Sequence, residues 1–237
     1  MRAALCFAMA LSAWGQSALT RPFLGQMIDP QRRLRPVYGV GGNFRVDAPV
    51  PAERVFASAC SATLCLAKTD RALISGNTVT PAPPGGAVIA LDPTGATVYF
   101  TAAKQFARWQ NGSLAKLDLT VQGTVLSMAC RATGLAIAVE RDGIIWISGA
   151  DGSLLDSLPE DARAALLLPT VTVYATADAV VLRKDDGNEV RVAAPGIESL
   201  TALGDGYVEA AAGGALFALR TKPGQERLYA LPERPLR

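Results

Sequence analysis

Val125–Leu158 reads VLSMACRATGLAIAVERDGIIWISGADGSLLDSL, four short apolar runs set between three turn signals. Short β-prone runs bounded by Gly, Asp or Ser read as strands, and here they fall at 125–129, 135–140, 144–148 and 153–158. Between the last two sits Asp151-Gly152, a dipeptide that supplies the positive φ of a tight hairpin. The stretch predicts one sheet of four antiparallel strands.

Working outward, similar dipeptides recur at Gly76-Asn77, Asn111-Gly112, Asp186-Gly187 and Pro223-Gly224. From Asn77 to Gly112, Gly152, Gly187 and Gly224 the steps are 35, 40, 35 and 37 residues. A near-fixed period of this size marks a repeat architecture in which each unit needs its neighbours to bury its faces. The copies align beyond their turns. VFASACSATLCLAKTD, starting at Val55, matches VLSMACRATGLAIAVERD, starting at Val125, with Cys60 on Cys130 and Ser61-Ala62-Thr63 on Arg131-Ala132-Thr133. Further units run over 87–120, 163–195 and 197–231, each with four β-prone runs.

Two segments, GIIWISGADGSL from Gly143 and ALFALRTKPGQERL from Ala215, carry a resemblance to the β-propeller repeat superfamily, in the style of the YVTN, NHL and quinoprotein-like repeats. The resemblance covers residues 52–231 and leaves the subfamily unassigned. It implies an all-β chain folded as a single β-propeller of five or six four-stranded antiparallel blades. The Gly-His and Trp-Asp dipeptides of WD40 repeats do not occur.

The 237 residues suit one all-β domain, and a 50% hydrophobic, 19% charged composition fits strands buried on both faces. A formal charge of +2 lacks the concentrated basicity of a nucleic-acid surface, so no nucleic-acid partner is expected. Histidine is absent, which removes the commonest general base, the commonest zinc ligand and every Ser-His or Cys-His nucleophile pair. An enzymatic role is left open but leans to no, with no catalytic residues, no cofactor and no metal ligands assigned.

Residues 1–17 read as a secretory signal peptide, with Arg2 before an apolar run from Ala3 to Trp14 and small residues after it. Cleavage after Gly15 or after Ser17 fits, leaving a propeller domain over 18–237. An uncleaved anchor is the other reading, although the run is shorter than the ~20 apolar residues of a spanning helix. No later stretch is long enough to span, so a secreted or periplasmic chain without an integral membrane segment is expected. Residues 21–50 hold one hairpin-like pair, 23–28 and 34–40, across Asp29-Pro30. The pair resembles strands c and d of a blade lacking its own a and b, an N-terminal two-strand half blade. Pro81–Gly86, PAPPGG, is short enough for an ordinary link between blades.

Cys60 and Cys65 flank a four-residue corner and are disulfide candidates in an oxidising compartment; Cys130 is then left over as a small buried side chain. Arg32, Arg33 and Arg35 form either a solvated hairpin surface or an anionic-partner site. Asp185-Asp186 with Asn188 and Glu189 reads as a hairpin turn rather than a calcium loop. Trp109, Trp146, Tyr99 and Tyr174 fall on central strands, as fillers between blades or as part of a sugar-binding surface. Gly41-Gly42 and Gly213-Gly214 precede no helical pattern, so no phosphate loop is expected. Three functions remain open: an exported non-catalytic scaffold presenting a rim to a protein or glycan partner, a calcium-dependent lactonase- or hydrolase-like propeller enzyme, and a purely structural or truncated propeller module.

Overall fold

The computed structural model describes residues 22–50, 53–61, 63–204 and 206–232. The expected signal segment, 1–17, lies outside them. All regular structure among the described residues is strand, in six antiparallel sheets formed in chain order.

Blade 1 holds β1 (Phe23–Ile28), β2 (Leu34–Val40) and β3 (Asn43–Val46). Blade 2 holds β4 (Val55–Cys60), β5 (Cys65–Thr69), β6 (Ala72–Ser75) and β7 (Thr78–Pro81). Blade 3 is β8 (Ala87–Asp92), β9 (Gly95–Phe100), β10 (Gln105–Gln110) and β11 (Ser113–Leu117). Blade 4, the stretch quoted at the outset, is β12 (Thr124–Arg131), β13 (Gly134–Arg141), β14 (Ile144–Gly149) and β15 (Leu154–Ser157). Blade 5 is β16 (Ala164–Leu167), β17 (Val171–Ala175), β18 (Ala179–Lys184) and β19 (Glu189–Ala193). Blade 6 is β20 (Ser199–Gly204), β21 (Tyr207–Ala212), β22 (Ala215–Arg220) and β23 (Arg227–Ala230).

The first strand of each sheet packs against the first strands of its two neighbours, from β4 through β8, β12, β16 and β20, with β1 between β20 and β4. Six sheets therefore stand round one axis as a six-bladed propeller. Strand burial follows from that placement. Every residue of β9 and of β17 is buried, because a second strand has a neighbouring blade on each face. The outer strand β19 alternates exposed and half-buried residues instead. The copies that align in sequence also share a backbone irregularity: the β4–β5 register shifts between Val55 and Ala57, and the β12–β13 register between Val125 and Ser127. Such bulges re-aim a strand and are built-in features.

Polar staples join the blades as well as apolar packing. The Trp109 indole N–H donates to Thr80 Oγ1 at 3.0 Å across blades 2 and 3. The Leu167 amide donates to Ser127 Oγ at 2.9 Å across blades 4 and 5, where Arg183 also reaches Asp156 at 3.0 Å. The link 81–86 is tied to blade 3, since Gly86 O accepts from the Thr101 amide at 3.2 Å.

Blade 1 departs from the expected half blade in two ways. It gains a third strand, Asn43–Val46, which lies in a segment too short and polar to stand out as a β run. It also occupies a different place. The start of β1 lies on the end of β20, where Gly25 meets Leu203. The end of β1 leads to Arg32, whose carbonyl accepts from the Val55 amide at the start of β4 at 2.7 Å. β1 thus runs opposite to the five other inner strands, so blade 1 carries strands b, c and d and, among the described residues, lacks strand a. The last blade keeps four strands of its own. Closure is apolar: Leu24, Met27 and Val37 share one buried cluster with Leu203, Tyr207, Ala218 and Leu231, and Phe44 meets Tyr207 and Tyr229 edge-on at 5.7 and 5.6 Å.

Candidate functional site: the channel mouth

Inner strands leave one edge facing the axis, and what fills that space is set by one or two side chains per strand. Ala59, Ile89, Met128 and Ala202 line its waist, with cavities of about 520 Å³ and 660 Å³ on either side. The larger cavity opens at the end of the molecule that carries the a–b corners and the c–d hairpin turns. Its wall is mainly apolar, with Leu91, Leu168 and Val171 above the waist.

Charged groups stand at this mouth, and several are engaged by the protein. Arg131 donates from Nη2 to Thr172 Oγ1 at 2.8 Å and from Nε to the Leu168 carbonyl at 3.3 Å, and pairs with Asp185 at 3.2 Å. Asp186 accepts from the Asn188 amide and side chain at 2.9 and 2.7 Å, closing its own turn. The acidic cluster is therefore a hairpin, as a turn sequence predicts. Nearby, the Arg108 guanidinium contacts Asp92 through both terminal nitrogens and, against the effect of burial, holds its carboxyl well below the usual carboxylate range, with two hydrogen bonds from Thr94 assisting.

Cys60 and Cys65 form a disulfide across the β4–β5 corner, with Cα atoms 4.1 Å apart. Cys130, the repeat equivalent of Cys60, faces Leu135 instead and stays a free thiol. Its Sγ lies 3.8 Å from Asp92 Oδ2. Burial, and then that carboxylate, push the thiol up, the reverse of what a nucleophilic cysteine requires.

The remaining candidates resolve individually. Asp29 is buried and gathers the basic cluster inward, bonding the Arg33 amide at 2.9 Å and the Arg33 and Arg35 Nε atoms at 3.0 Å each. Arg32 stands over the Phe56 ring at 5.5 Å. Burial alone would raise the Asp29 carboxyl; the Arg33 amide and the two guanidiniums outweigh it and hold it at about 2. The cluster is thus occupied by its own carboxylate. Trp109, Tyr99 and Tyr174 are buried between blades, whereas Trp146 is only half-buried. Gly41 packs beside Tyr229, and Gly213-Gly214 forms the β21–β22 turn. Among the described residues no three His, Cys, Asp or Glu side chains converge as a metal would need, and the apolar waist offers none of the converging carboxylates and amides of a calcium-held hydrolase.

The waist residues escaped the sequence reading because Ala, Ile and Met on a strand look like ordinary core. What they share is only that each lies on the first strand of its blade, β4, β8, β12 or β20, which the repeat period alone could have flagged. Lys68 was missed too: fully buried, it donates from Nζ to the Asp70 carbonyl at 2.8 Å and lies 5.9 Å from the Phe100 ring.

No known family matches the chain, and no curated protein matches it in sequence. Solved structures do match in shape. A protein of unknown function from Bacteroides caccae is 12% identical with a TM-score of 0.57, over 90% of this chain and 100% of that one. PorZ, a surface component of the type-IX secretion system of Porphyromonas gingivalis, is 13% identical with a TM-score of 0.53, over 85% of this chain and 31% of PorZ. The WD40 domain of Neurospora crassa Pan2 is 7% identical with a TM-score of 0.50, over 90% of this chain and 80% of that one. The likeness is one of fold. The chain spans about a third of the length of PorZ.

Proposed function

We propose that the protein is an exported, non-catalytic propeller scaffold that seats an apolar group of a protein partner in the mouth of its channel. The observation that carries this reading is the 660 Å³ apolar cavity open at one rim, of the size and character of ligand-binding sites. No acid–base pair or activated nucleophile accompanies it among the described residues. A protein is favoured over a glycan at this mouth because its wall is mainly apolar, Leu91, Leu168 and Val171 among it, with the polar side chains confined to the rim, and buried apolar anchors dominate protein interfaces. Export is supported by the apolar leader, and a disulfide suits an oxidising compartment. PorZ, of similar fold, is a bacterial surface component.

The test is affinity capture from the extracytoplasmic fraction with residues 18–237, run beside an Ala202→Trp variant that fills the waist. A partner held by the native protein and released by the variant, with unchanged thermal stability, supports the reading. Equal capture by both, or no capture, counts against it. Mass spectrometry of the exported chain should find an N-terminus at Gln16 or Ala18.

A further inference from the structure

Two tryptophans on third strands, at different registers and in different surroundings, point to a second site. Trp109 on β10 and Trp146 on β14 both lie on the third strand of a blade, ahead of the c–d turn. Trp109 is shut in: 5% exposed, packed with Val98 and Phe100, its N–H given to Thr80 of the preceding blade. Trp146 meets no such partner. On its face of blade 4 the inner half is covered by Tyr99 and Phe106 of blade 3, which pack with Ile137 and Val139. The outer half carries Trp146, Ser148 and Leu154 over a cleft of about 360 Å³, closed on its far side by the link segment Thr120–Gln122. Leu154 is 62% exposed. The Trp146 N–H has no partner among the described residues, and Arg141 lies against the ring, its Cζ 5.8 Å from the centroid.

We propose that this cleft, between blades 3 and 4, binds a neutral saccharide. A sugar ring has one face of C–H groups and an edge of hydroxyls. The half-exposed indole offers the first a flat apolar platform. The Gln122 carboxamide, the Ser148 and Thr120 hydroxyls and the free indole N–H offer the second both donors and acceptors. No carboxylate lines the cleft, and its one guanidinium already lies 4.0 Å from Asp142, so nothing calls for a charged ligand. A proline-rich peptide is less well served, since its groove needs several aromatics in series and this cleft has one. The inference goes beyond the channel-mouth reading and stands on different residues, so either can fail without the other.

The test titrates residues 18–237 with N-acetylglucosamine, maltose and lactose, and with a proline-rich decapeptide as a counter-probe. Binding is read by tryptophan emission and by calorimetry. Because Trp109 is shielded, a saturable emission change from one of the sugars reports Trp146, and it is the expected result. Calorimetric affinity should vanish in Trp146→Ala. In Gln122→Ala, on the exposed link where folding is not at stake, it should fall by about three- to tenfold, the loss of one hydrogen bond. No saturable response to any of the three sugars, an undiminished response in both variants, or saturation by the decapeptide alone would each overturn the proposal.

Discussion

Replacing Gly25 with alanine tests how the ring is closed. Gly25 sits at φ +148°, and a Cβ built there would fall 1.3 Å from the Leu203 carbonyl oxygen and 2.4 Å from its carbon. Both are backbone atoms and cannot swing aside. The reciprocal contact is as tight, since a Cβ on Gly204 would lie 2.5 Å from the Leu24 carbonyl oxygen. Alanine at Gly25 must therefore push β1 away from β20. Holding a non-glycine residue at positive φ costs about 1–3 kcal/mol. Separating the seam uncovers part of the cluster of Leu24, Met27, Leu203, Tyr207 and Leu231, and each large apolar side chain re-exposed costs about 1.5–3 kcal/mol. With two of them uncovered the total is about 4–9 kcal/mol, comparable to the whole stability of a typical domain. Urea unfolding followed by circular dichroism reads the loss, with Gly134→Ala as the control. Gly134 has φ +119° and nothing within 4 Å of a built Cβ, so its variant carries the backbone cost without the seam. If Gly25→Ala loses no more stability than Gly134→Ala, the backbone contact between β1 and β20 does not close the ring and the reasoning fails.

Reduction of the Cys60–Cys65 disulfide, or Cys60→Ser with Cys65→Ser, should cost about 2 kcal/mol, because the bridge closes a loop of only a few residues; an unchanged urea midpoint under reductant would refute this. Asp29, held at about 2 against an ordinary 3.8, contributes stability that is fully present above the unfolded value and lost as pH falls through the folded one. The contribution is about 2–3 kcal/mol, so Asp29→Asn should flatten the acid limb of the stability curve, and an acid limb identical to the native one would contradict it. Burial lowers the Lys68 ammonium below its ordinary 10.5. Between the folded and unfolded values the unfolded chain binds the extra proton, so native stability should rise with pH across that window, and a chemical-unfolding series should lose the rise in Lys68→Met.

The fold was legible wherever a run of residues had to satisfy one geometry repeatedly. The four strands of blade 4 surfaced because β-branched and aliphatic runs alternate with turn dipeptides, and Asp151-Gly152 takes the positive φ its place demands. Blade 1 was harder. Its two longer strands stand out in the sequence, but their direction depends on Gly25 meeting Leu203, a contact across 178 residues that no local pattern encodes. The channel was least legible of all, because a waist of Ala59, Ile89, Met128 and Ala202 is chemically the same as core until the strands are known to face an axis.

A repeat also lets departures from equivalence be read directly, since each blade is built to the same plan and differs only where something else acts on it. Cys60 has Cys65 opposite it, while Cys130 has Leu135; one copy became a staple and the other a thiol that burial keeps protonated. Phe106, five residues ahead of Asn111, is buried, while Trp146, five ahead of Asp151, kept a free N–H and a cleft. The two cases differ in what the departure leaves behind. A small thiol half-buried beside Asp92 costs the fold little. An indole left half in water, beside an exposed Leu154, forgoes burial that Phe106, at the same distance ahead of its own c–d dipeptide in blade 3, achieves. A single uncovered side chain would be ordinary; here an indole and Leu154 stand uncovered over one cleft, which is what the proposed site needs. If Trp146→Thr stabilised the protein, left its sugar response unchanged and disturbed nothing else, that argument would be wrong.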